Sequence, residues 1–267
     1  MTVPSSGVPS PRRLLAEVVA DLRDLADPRR ASGAKAYFKK FEPVHLFGVA
    51  TPDLRALARR HLARIRRVWS AAEAIRFAEL AVRRREMETK WIGFHFLGRF
   101  GRDLPAGLVD RCRRWAERGW CSNWAMTDSL SSEVIAPLLG RHPRLVATVT
   151  GWHRSPSVWV RRLSVVPLVP LARHGEQLDA AYGVVRALAA DREDMVHKAC
   201  GWLLREAGKT DMKRLERFLL RHGPRLPRTT VRYAIERMPP ARRRRLLVTT
   251  RGARSRALAR GGAGTEA

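Results

Sequence analysis

The apolar residues of this chain recur at steps of three and four, the period of an amphipathic α-helix, along almost the whole sequence. No run of alternating β-branched residues bounded by hairpin turns interrupts this pattern. Glycines such as Gly48, Gly119 and Gly208 end the helical segments at short intervals. The sequence therefore predicts an all-α protein.

Short helices separated by short polar turns are typical of stacked helix pairs, as in the HEAT and armadillo repeats of about 40–47 residues. Such pairs stack into a solenoid with a long concave face. We expect residues 11–250 to form a single domain of this HEAT-like or armadillo-like kind; an irregular helical bundle is the alternative. Residues 1–10 and 251–267 are rich in proline, serine, glycine and arginine, and both segments are predicted to be disordered.

The net charge of the chain indicates what kind of molecule it binds. Lys and Arg number 52 against 25 Asp and Glu, which gives a formal net charge of +27. A protein this basic attracts polyanions, because neutralising phosphates releases condensed counterions. The imbalance favours a basic concave face that binds nucleic acid, and the alternative is a solvated cationic surface without such a partner.

The sequence lacks the features of disulfide-rich, metal-binding, membrane-spanning and secreted proteins. Cys112, Cys121 and Cys200 are spaced neither as a disulfide framework nor as a CxxC metal site, and the histidines are scattered. The longest apolar run is far shorter than the roughly 20 residues that cross a bilayer, and the first residues do not form a signal peptide. We predict a cytoplasmic monomer, nucleoid-associated when bound to DNA, that contacts no membrane and uses no metal or cofactor.

The first candidate site lies on a helix predicted from about residue 192 to 207. Its buried stripe consists of residues three and four apart: Val196, Ala199, Cys200, Leu203 and Ala207. Another face carries one indole among three cations: Lys198, Trp202, Arg205 and Lys209. Such a tryptophan can touch sugar or base while the cations hold phosphates. The alternative is that Trp202 packs against the next helix.

The second candidate site is the pair Trp124 and Asp128. If a helix begins near residue 122, Met126, Leu130 and Val134 face the core, and the indole and the carboxylate share a different face. A carboxylate repels phosphate, so its useful task on a DNA-binding surface is to stabilise a cation. The alternative is that Asp128 caps a helix or pairs with an arginine.

The third segment follows Ser157, which we expect to precede a helix. Arg161 and Arg162 then lie in its first turns beside Trp159. Guanidinium groups bind phosphate oxygens bidentately and hold a nucleic-acid backbone in register. The three segments are spaced as a helical repeat would place them, so we expect them on one side of a solenoid.

Taken together, these segments resemble the AlkD-type DNA alkylation repair glycosylases, a family built from HEAT-like repeats. The resemblance rests on Trp124-Ala-Met-Thr-Asp128-Ser, Val158-Trp159-Val-Arg-Arg162 and Lys198-Ala-Cys-Gly-Trp202-Leu-Leu-Arg205-Glu206. Residues 47–55 are similar to the family's first inter-helix turn, and the resemblance covers roughly residues 30–240. One departure is Ala125, because an acidic residue often stands at this position in the family.

The resemblance implies a DNA-alkylpurine N-glycosylase of base excision repair that hydrolyses the N-glycosidic bond of N3- or N7-alkylated purines in duplex DNA. It implies that Asp128 is the catalytic carboxylate and that Trp124 and Trp202 line the deoxyribose of the lesion. Arg162 would hold the DNA backbone near the lesion. Because the family is thought to act without flipping the base into a pocket, unlike other glycosylases, bulky adducts would be tolerated.

Around these residues we expect further phosphate contacts from four basic side chains: Arg161, Lys198, Arg205 and Lys209. Two other readings of the sequence stay open. A non-catalytic helical-repeat scaffold that binds nucleic acid or an acidic protein has the same charge and fold, but gives Asp128 no task on a cationic face. A self-resistance glycosylase would excise the adducts of one DNA-alkylating natural product.

Overall fold

The computed structural model describes residues 8–251, which form helices joined by turns, with no strand among them. They divide into two compact units, the first ending at His142 and the second beginning at Pro143. The α-helices of the first unit are α1 (Pro11–Asp24), α2 (Pro28–Lys35), α3 (Thr51–Ile65), α4 (Ala71–Val82), α5 (Met87–Arg99), α6 (Leu108–Glu117), α7 (Trp124–Leu130) and α8 (Ala136–Arg141). Those of the second unit are α9 (Leu145–Gly151), α10 (Val158–Leu163), α11 (Leu168–Arg173), α12 (Leu178–Ala187), α13 (Asp194–Ala207), α14 (Met212–His222), α15 (Arg228–Ile235) and α16 (Pro240–Thr249).

The all-α prediction is confirmed, and the helices pack in a repeat-like arrangement. The concave basic face and the single domain over residues 11–250 stay predictions. Of the ends predicted to be disordered, residues 1–7 and 252–267 lie outside the described residues. Within the described part of the chain, no helix is long and apolar enough to cross a membrane.

Side-chain caps fix where several helices begin. The Ser10 hydroxyl accepts a hydrogen bond from the Arg13 amide at the start of α1, and Ser70 and Glu73 form a reciprocal capping box at α4. Ser157 precedes α10 as predicted. Thr51 followed by Pro52 predicts that Thr51 caps α3, but Thr51 is the first helical residue, because the backbone is already helical there and Ala50 is the last extended residue.

The core of the first unit is aromatic and lies around α4 and α5. Phe77, Phe94 and Phe96 are fully buried, and the Phe77 and Phe96 rings stack with centroids 5.1 Å apart. Burying side chains of this size contributes about 1.5–3 kcal/mol each. This core is the support on which α7 packs, because α5 contacts α7.

Helix α7 begins at a cap that also fixes a distant turn. The Asn123 side-chain oxygen accepts a hydrogen bond of 2.9 Å from the Met126 amide, and its Nδ2 donates to the Pro43 carbonyl at 3.1 Å. Asn123 is only 3% exposed. One buried amide therefore starts the helix and ties the chain near residue 43 to it.

Helix α13 is the centre of the second unit, where it contacts α10, α11, α12, α14 and α15. Its predicted buried stripe is confirmed, since all five side chains are 3% exposed or less. A glycine allows the closest of these contacts: a Cβ at Gly201 would lie 2.4 Å from the Tyr233 Cβ and 2.7 Å from the Thr230 carbonyl oxygen of α15. Any side chain at this position would push α13 and α15 apart.

Removal of the α7 cap should destabilise the protein measurably. We expect Asn123→Ala to lower the free energy of unfolding by about 1–2 kcal/mol, because Met126 loses its capping acceptor and Pro43 its donor. Urea denaturation followed by circular dichroism measures this loss. The neighbouring Ser122→Ala is the matched control, with an expected change within about 0.5 kcal/mol. Equal stability of Asn123→Ala and the wild type would contradict the role of this cap.

A buried histidine should make stability depend on pH. His61 is 2% exposed, its Nε2 lies 2.6 Å from the Asp21 carboxylate, and Arg64 donates to its Nδ1. Burial lowers the pKa of His61; the Asp21 carboxylate opposes this shift, and the Arg60 and Arg64 guanidinium groups add to it. The folded state therefore resists a proton that the unfolded state takes up.

The stabilising contribution of neutral His61 is present above about pH 6.5 and is lost as pH falls through the lowered pKa of the folded state. We expect the free energy of unfolding to decrease from pH 7.5 to 5 by at most about 1.4 kcal/mol per pH unit for this one proton. Urea titrations across this range should give a shallower slope for His61→Gln. The same substitution at exposed His45 is the control, and an equal effect there would refute the assignment.

Candidate functional site

Trp124 and Asp128 lie one turn apart on α7, and both are half-buried. The residues predicted to face the core do so: Met126 is 4% exposed, and Leu130 and Val134 are fully buried. The sequence-predicted pair therefore shares an accessible face of a helix whose other face is anchored in the first unit. This arrangement leaves an indole and a carboxylate together where a ligand can reach them.

A turn that precedes α3 holds Trp124 in position. The Phe38 ring stacks on the Trp124 indole, with centroids 5.3 Å apart and planes 22° from parallel. Glu42 is 6% exposed, and its carboxylate accepts hydrogen bonds from the Trp124 amide at 3.1 Å and the Lys39 amide at 2.8 Å. The indole is thus fixed at its ring and at its backbone.

Sequence reasoning missed Phe38 and Glu42. The available signal was the cluster Tyr37-Phe38-Lys39-Lys40-Phe41, which interleaves aromatic and basic residues. Tyr37 is 81% exposed and Phe41 66% exposed, so these two rings face solvent beside the Phe38 ring that packs on Trp124. Large exposed aromatics next to a candidate site extend the surface that a ligand would meet.

A π-helical turn, Ser131–Ile135, begins three residues after Asp128 and continues into α8. The Ser132 hydroxyl donates to the Asp128 carbonyl at 2.9 Å, and the Ser131 hydroxyl donates to the Thr127 carbonyl at 2.7 Å. These hydroxyl bonds add to the Ser131 amide, which donates to the same two carbonyls. The backbone that carries Asp128 is therefore held on its C-terminal side as well.

In the second unit, Arg161 and Arg162 have different environments. The Arg161 Nε lies 2.6 Å from the Asp191 carboxylate, and the same guanidinium donates to the Ser155 and Pro156 carbonyls. Arg162 is 5% exposed and donates to the Met195 carbonyl in the first turn of α13. Both arginines already bind the protein itself, and their predicted DNA contacts stay predictions.

Helix α13 presents Trp202 half-buried and off the buried stripe, as expected from the spacing. Lys198 pairs with Asp194 at 2.9 Å, one turn earlier on the same helix. Arg205 lies beside Glu206 and Glu236. Helix α13 therefore carries the predicted indole with two of the predicted cations, Lys198 and Arg205, each of which has an acidic neighbour; Lys209 lies two residues past the end of the helix.

Glu206 is the main acidic group of this cluster and was not singled out by sequence reasoning. Its side chain is 2% exposed and contacts three cations: Arg173, Arg205 and Lys209. Burial by itself disfavours its charge, but hydrogen bonds from Lys209 and Arg173 prevail and hold the pKa of Glu206 below its ordinary value. A stable carboxylate thus holds the basic side chains at the end of α13 in place.

No group of three or more His, Cys, Asp or Glu side chains between residues 8 and 251 could hold a metal ion. The predicted site residues among them are two half-buried indoles, one half-buried carboxylate and several ordered cations. Aromatic faces and a carboxylate can stabilise a positive charge, and guanidinium and ammonium groups can bind phosphate.

Comparisons with known proteins fit this set of groups. The sequence model of the DNA alkylation repair enzyme family matches residues 18–238. None of the curated proteins compared with the chain matches it. A solved structure, "Predicted DNA alkylation repair enzyme from Enterococcus faecalis", has the same fold, with a TM-score of 0.69 and 16% identity over 80% of this chain and 97% of that chain. The family match supports a role in DNA alkylation repair with DNA as the substrate, and because it covers most of the length, the chain belongs to the DNA alkylation repair enzyme family.

Proposed function

We propose that the protein is a DNA glycosylase that hydrolyses the N-glycosidic bond of N3- or N7-alkylated purines in duplex DNA. The observation that carries the proposal is the Trp124 and Asp128 pair on the accessible face of α7, held by Asn123, Glu42 and Phe38. A rigid indole and carboxylate in this arrangement suit a reaction whose transition state is cationic.

Alkylation at N3 or N7 gives the purine a positive charge and makes it a good leaving group. When the bond from C1′ to nitrogen breaks, its electron pair neutralises the departing base and leaves an oxocarbenium ion on the sugar. Water then adds to C1′ and releases a proton. The enzyme needs to stabilise the sugar cation and orient this water, and neither task requires a separate general acid.

In this mechanism the Asp128 carboxylate stabilises the sugar cation and orients the attacking water. The indoles of Trp124 and Trp202 line the deoxyribose and add cation–π attraction, about 0.5–2 kcal/mol each, as positive charge develops. DNA backbone is held by five basic residues: Arg161, Arg162, Lys198, Arg205 and Lys209. Ion pairs of four of them and the hydrogen bond from Arg162 to the Met195 carbonyl already restrain these side chains, so less entropy is lost when phosphate binds.

A non-catalytic scaffold for nucleic acid competes with this proposal. Helix α7 argues against it, because a half-exposed carboxylate beside an ordered indole weakens phosphate binding. A self-resistance glycosylase is a narrower form of the same proposal. A panel of duplexes with methyl and bulky purine adducts distinguishes it from general repair, since self-resistance requires excision of one bulky adduct only.

The sharpest test is Asp128→Asn. We expect the single-turnover rate of 7-methylguanine release from duplex DNA to fall about 10²–10³-fold, because the substitution removes a preorganised negative charge from the transition state. Duplex affinity should stay equal or increase, since a group that repels phosphate is gone. Excision and a binding titration on the same preparation measure both.

Asp110→Asn is the matched control for this charge change, because Asp110 is exposed in the first turn of α6. It should keep the wild-type excision rate. If Asp128→Asn also excises at the full rate, Asp128 has no part in the mechanism. If neither the wild type nor any variant releases a modified purine, the glycosylase proposal itself is wrong.

The contribution of each indole to the excision rate can be measured separately. Trp124→Ala and Trp202→Ala should each slow excision by about 2- to 30-fold, the kinetic equivalent of the cation–π term, with nearly unchanged affinity for undamaged duplex. Trp202→Phe should recover part of the rate because it keeps an aromatic face. Unfolding of Trp202→Ala, seen by circular dichroism, would mean that this indole serves packing rather than catalysis.

A further inference from the structure

Two helices of the second unit face each other across an arginine-lined cleft of about 570 Å³ that the proposed function does not use. Helix α12 contributes residues three or four apart: Asp179, Tyr182, Gly183 and Arg186. Helix α14 contributes residues of the same spacing: Arg214, Arg217, Phe218, Arg221 and His222. Each helix therefore turns one continuous face toward the cleft.

The cleft follows from the way these helices pack. Both α12 and α14 pack against α13, which lies between them in sequence and supports them both. The two helices meet directly through long side chains: Arg214 pairs with Asp179 and lies over the Tyr182 ring, with its guanidinium carbon 4.7 Å from the centroid. The remaining space stays open to ligands.

The charge of this cleft is unbalanced. Its acidic residue, Asp179, is engaged by Arg214. Among residues 8–251, no carboxylate forms an ion pair with Arg186, Arg217 or Arg221. Burial and the positive charges of Arg221, Arg186 and Arg225 lower the pKa of His222. The local field therefore favours an anion, and arginine binds phosphate oxygens bidentately.

The floor of the cleft is aromatic. The rings of Tyr182 and Phe218 have centroids 4.8 Å apart, and Phe218 and His222 are separated by the same distance. Tyr182 is 6% exposed, and its hydroxyl is buried without a hydrogen-bond partner among the described residues. Burial raises the pKa of Tyr182 to about 12, so the hydroxyl keeps its proton at neutral pH.

We infer that this cleft binds a nucleotide unit, with its phosphate on Arg186, Arg217 and Arg221 and its base against the rings of Phe218 and His222. Arginines next to stacked rings are the combination by which proteins hold single nucleotides and single strands. The volume of the cleft exceeds what a phosphate ion fills and lies within the range of small-molecule sites. The site does not rest on the proposed glycosylase function, because no residue of α7 or α13 lines it.

Calorimetric titration of the full chain with deoxyadenosine 5′-monophosphate tests the inference. We expect binding that weakens at least about tenfold in Arg217→Gln/Arg221→Gln, since two charge-assisted hydrogen-bonding groups are lost. The matched control is Arg243→Gln/Arg244→Gln, which removes the same charge from exposed positions of α16. It should change affinity less than twofold. Equal losses in the two double variants would reduce the effect to overall charge and overturn the site.

Phe218→Leu tests the aromatic floor while keeping an apolar side chain. The substitution should lower the affinity for deoxyadenosine monophosphate and leave the affinity for inorganic phosphate unchanged. If the wild type binds both probes with the same affinity, the base does not contribute and that part of the inference is overturned. A 5′-phosphorylated strand of eight thymidines distinguishes the two possible sources of the nucleotide unit, the end of a nucleic-acid strand and a free nucleotide. Loss of strand affinity in the Arg217→Gln/Arg221→Gln variant assigns the site to nucleic-acid ends, and loss confined to the mononucleotide assigns it to free nucleotides. Tighter binding of a glutamate hexapeptide than of either nucleotide probe would overturn the inference.

Discussion

Shared carboxylates are the constraint on which this fold depends. With 25 acidic residues against 52 basic ones, the chain cannot give each cation its own partner. Glu206 therefore contacts three cations, and the Glu17 carboxylate lies 3.2 Å from Arg13 and 2.6 Å from Arg64. A buried carboxylate such as Glu206 that loses its cations is left as an uncompensated buried charge. These few acids offset part of the repulsion among the cations of a chain with a net charge of +27.

The candidate site of the first unit depends on short-range bonds rather than on charge. Asn123 starts α7, Glu42 binds its first amide, and Phe38 covers one face of Trp124. Each of these contacts joins α7 to the turn near residues 38–43, which lies about 80 residues earlier in the chain. The indole and the carboxylate are thus preorganised before any ligand arrives, which is the condition for electrostatic catalysis.

Periodicity was sufficient to predict the helices and their buried faces, including the stripe of α13 and the core side of α7, because these depend on residues close in sequence. Periodicity does not predict contacts between segments that are distant in the sequence. Nothing in the spacing indicates that Arg161 meets Asp191, or that Phe38 stacks on Trp124. The cleft between α12 and α14 was missed for the same reason, since each helix alone has an ordinary basic face. Helix α3 starts one residue earlier than predicted, because Ala50, which has no capping side chain, takes the last extended position.

Gly201 ties the placement of Trp202 to a helix that carries none of the candidate site residues. Because α13 and α15 approach so closely there, Thr230 can donate from its hydroxyl to the His197 carbonyl at 3.1 Å, within the same turn of α13 as Lys198. Substitutions on α15 that enlarge Thr230 would rotate or shift α13 and displace its indole without touching a ligand. The packing surface of α15 therefore sets the position of Trp202, and substitutions on α15 can change that position without altering α13 itself.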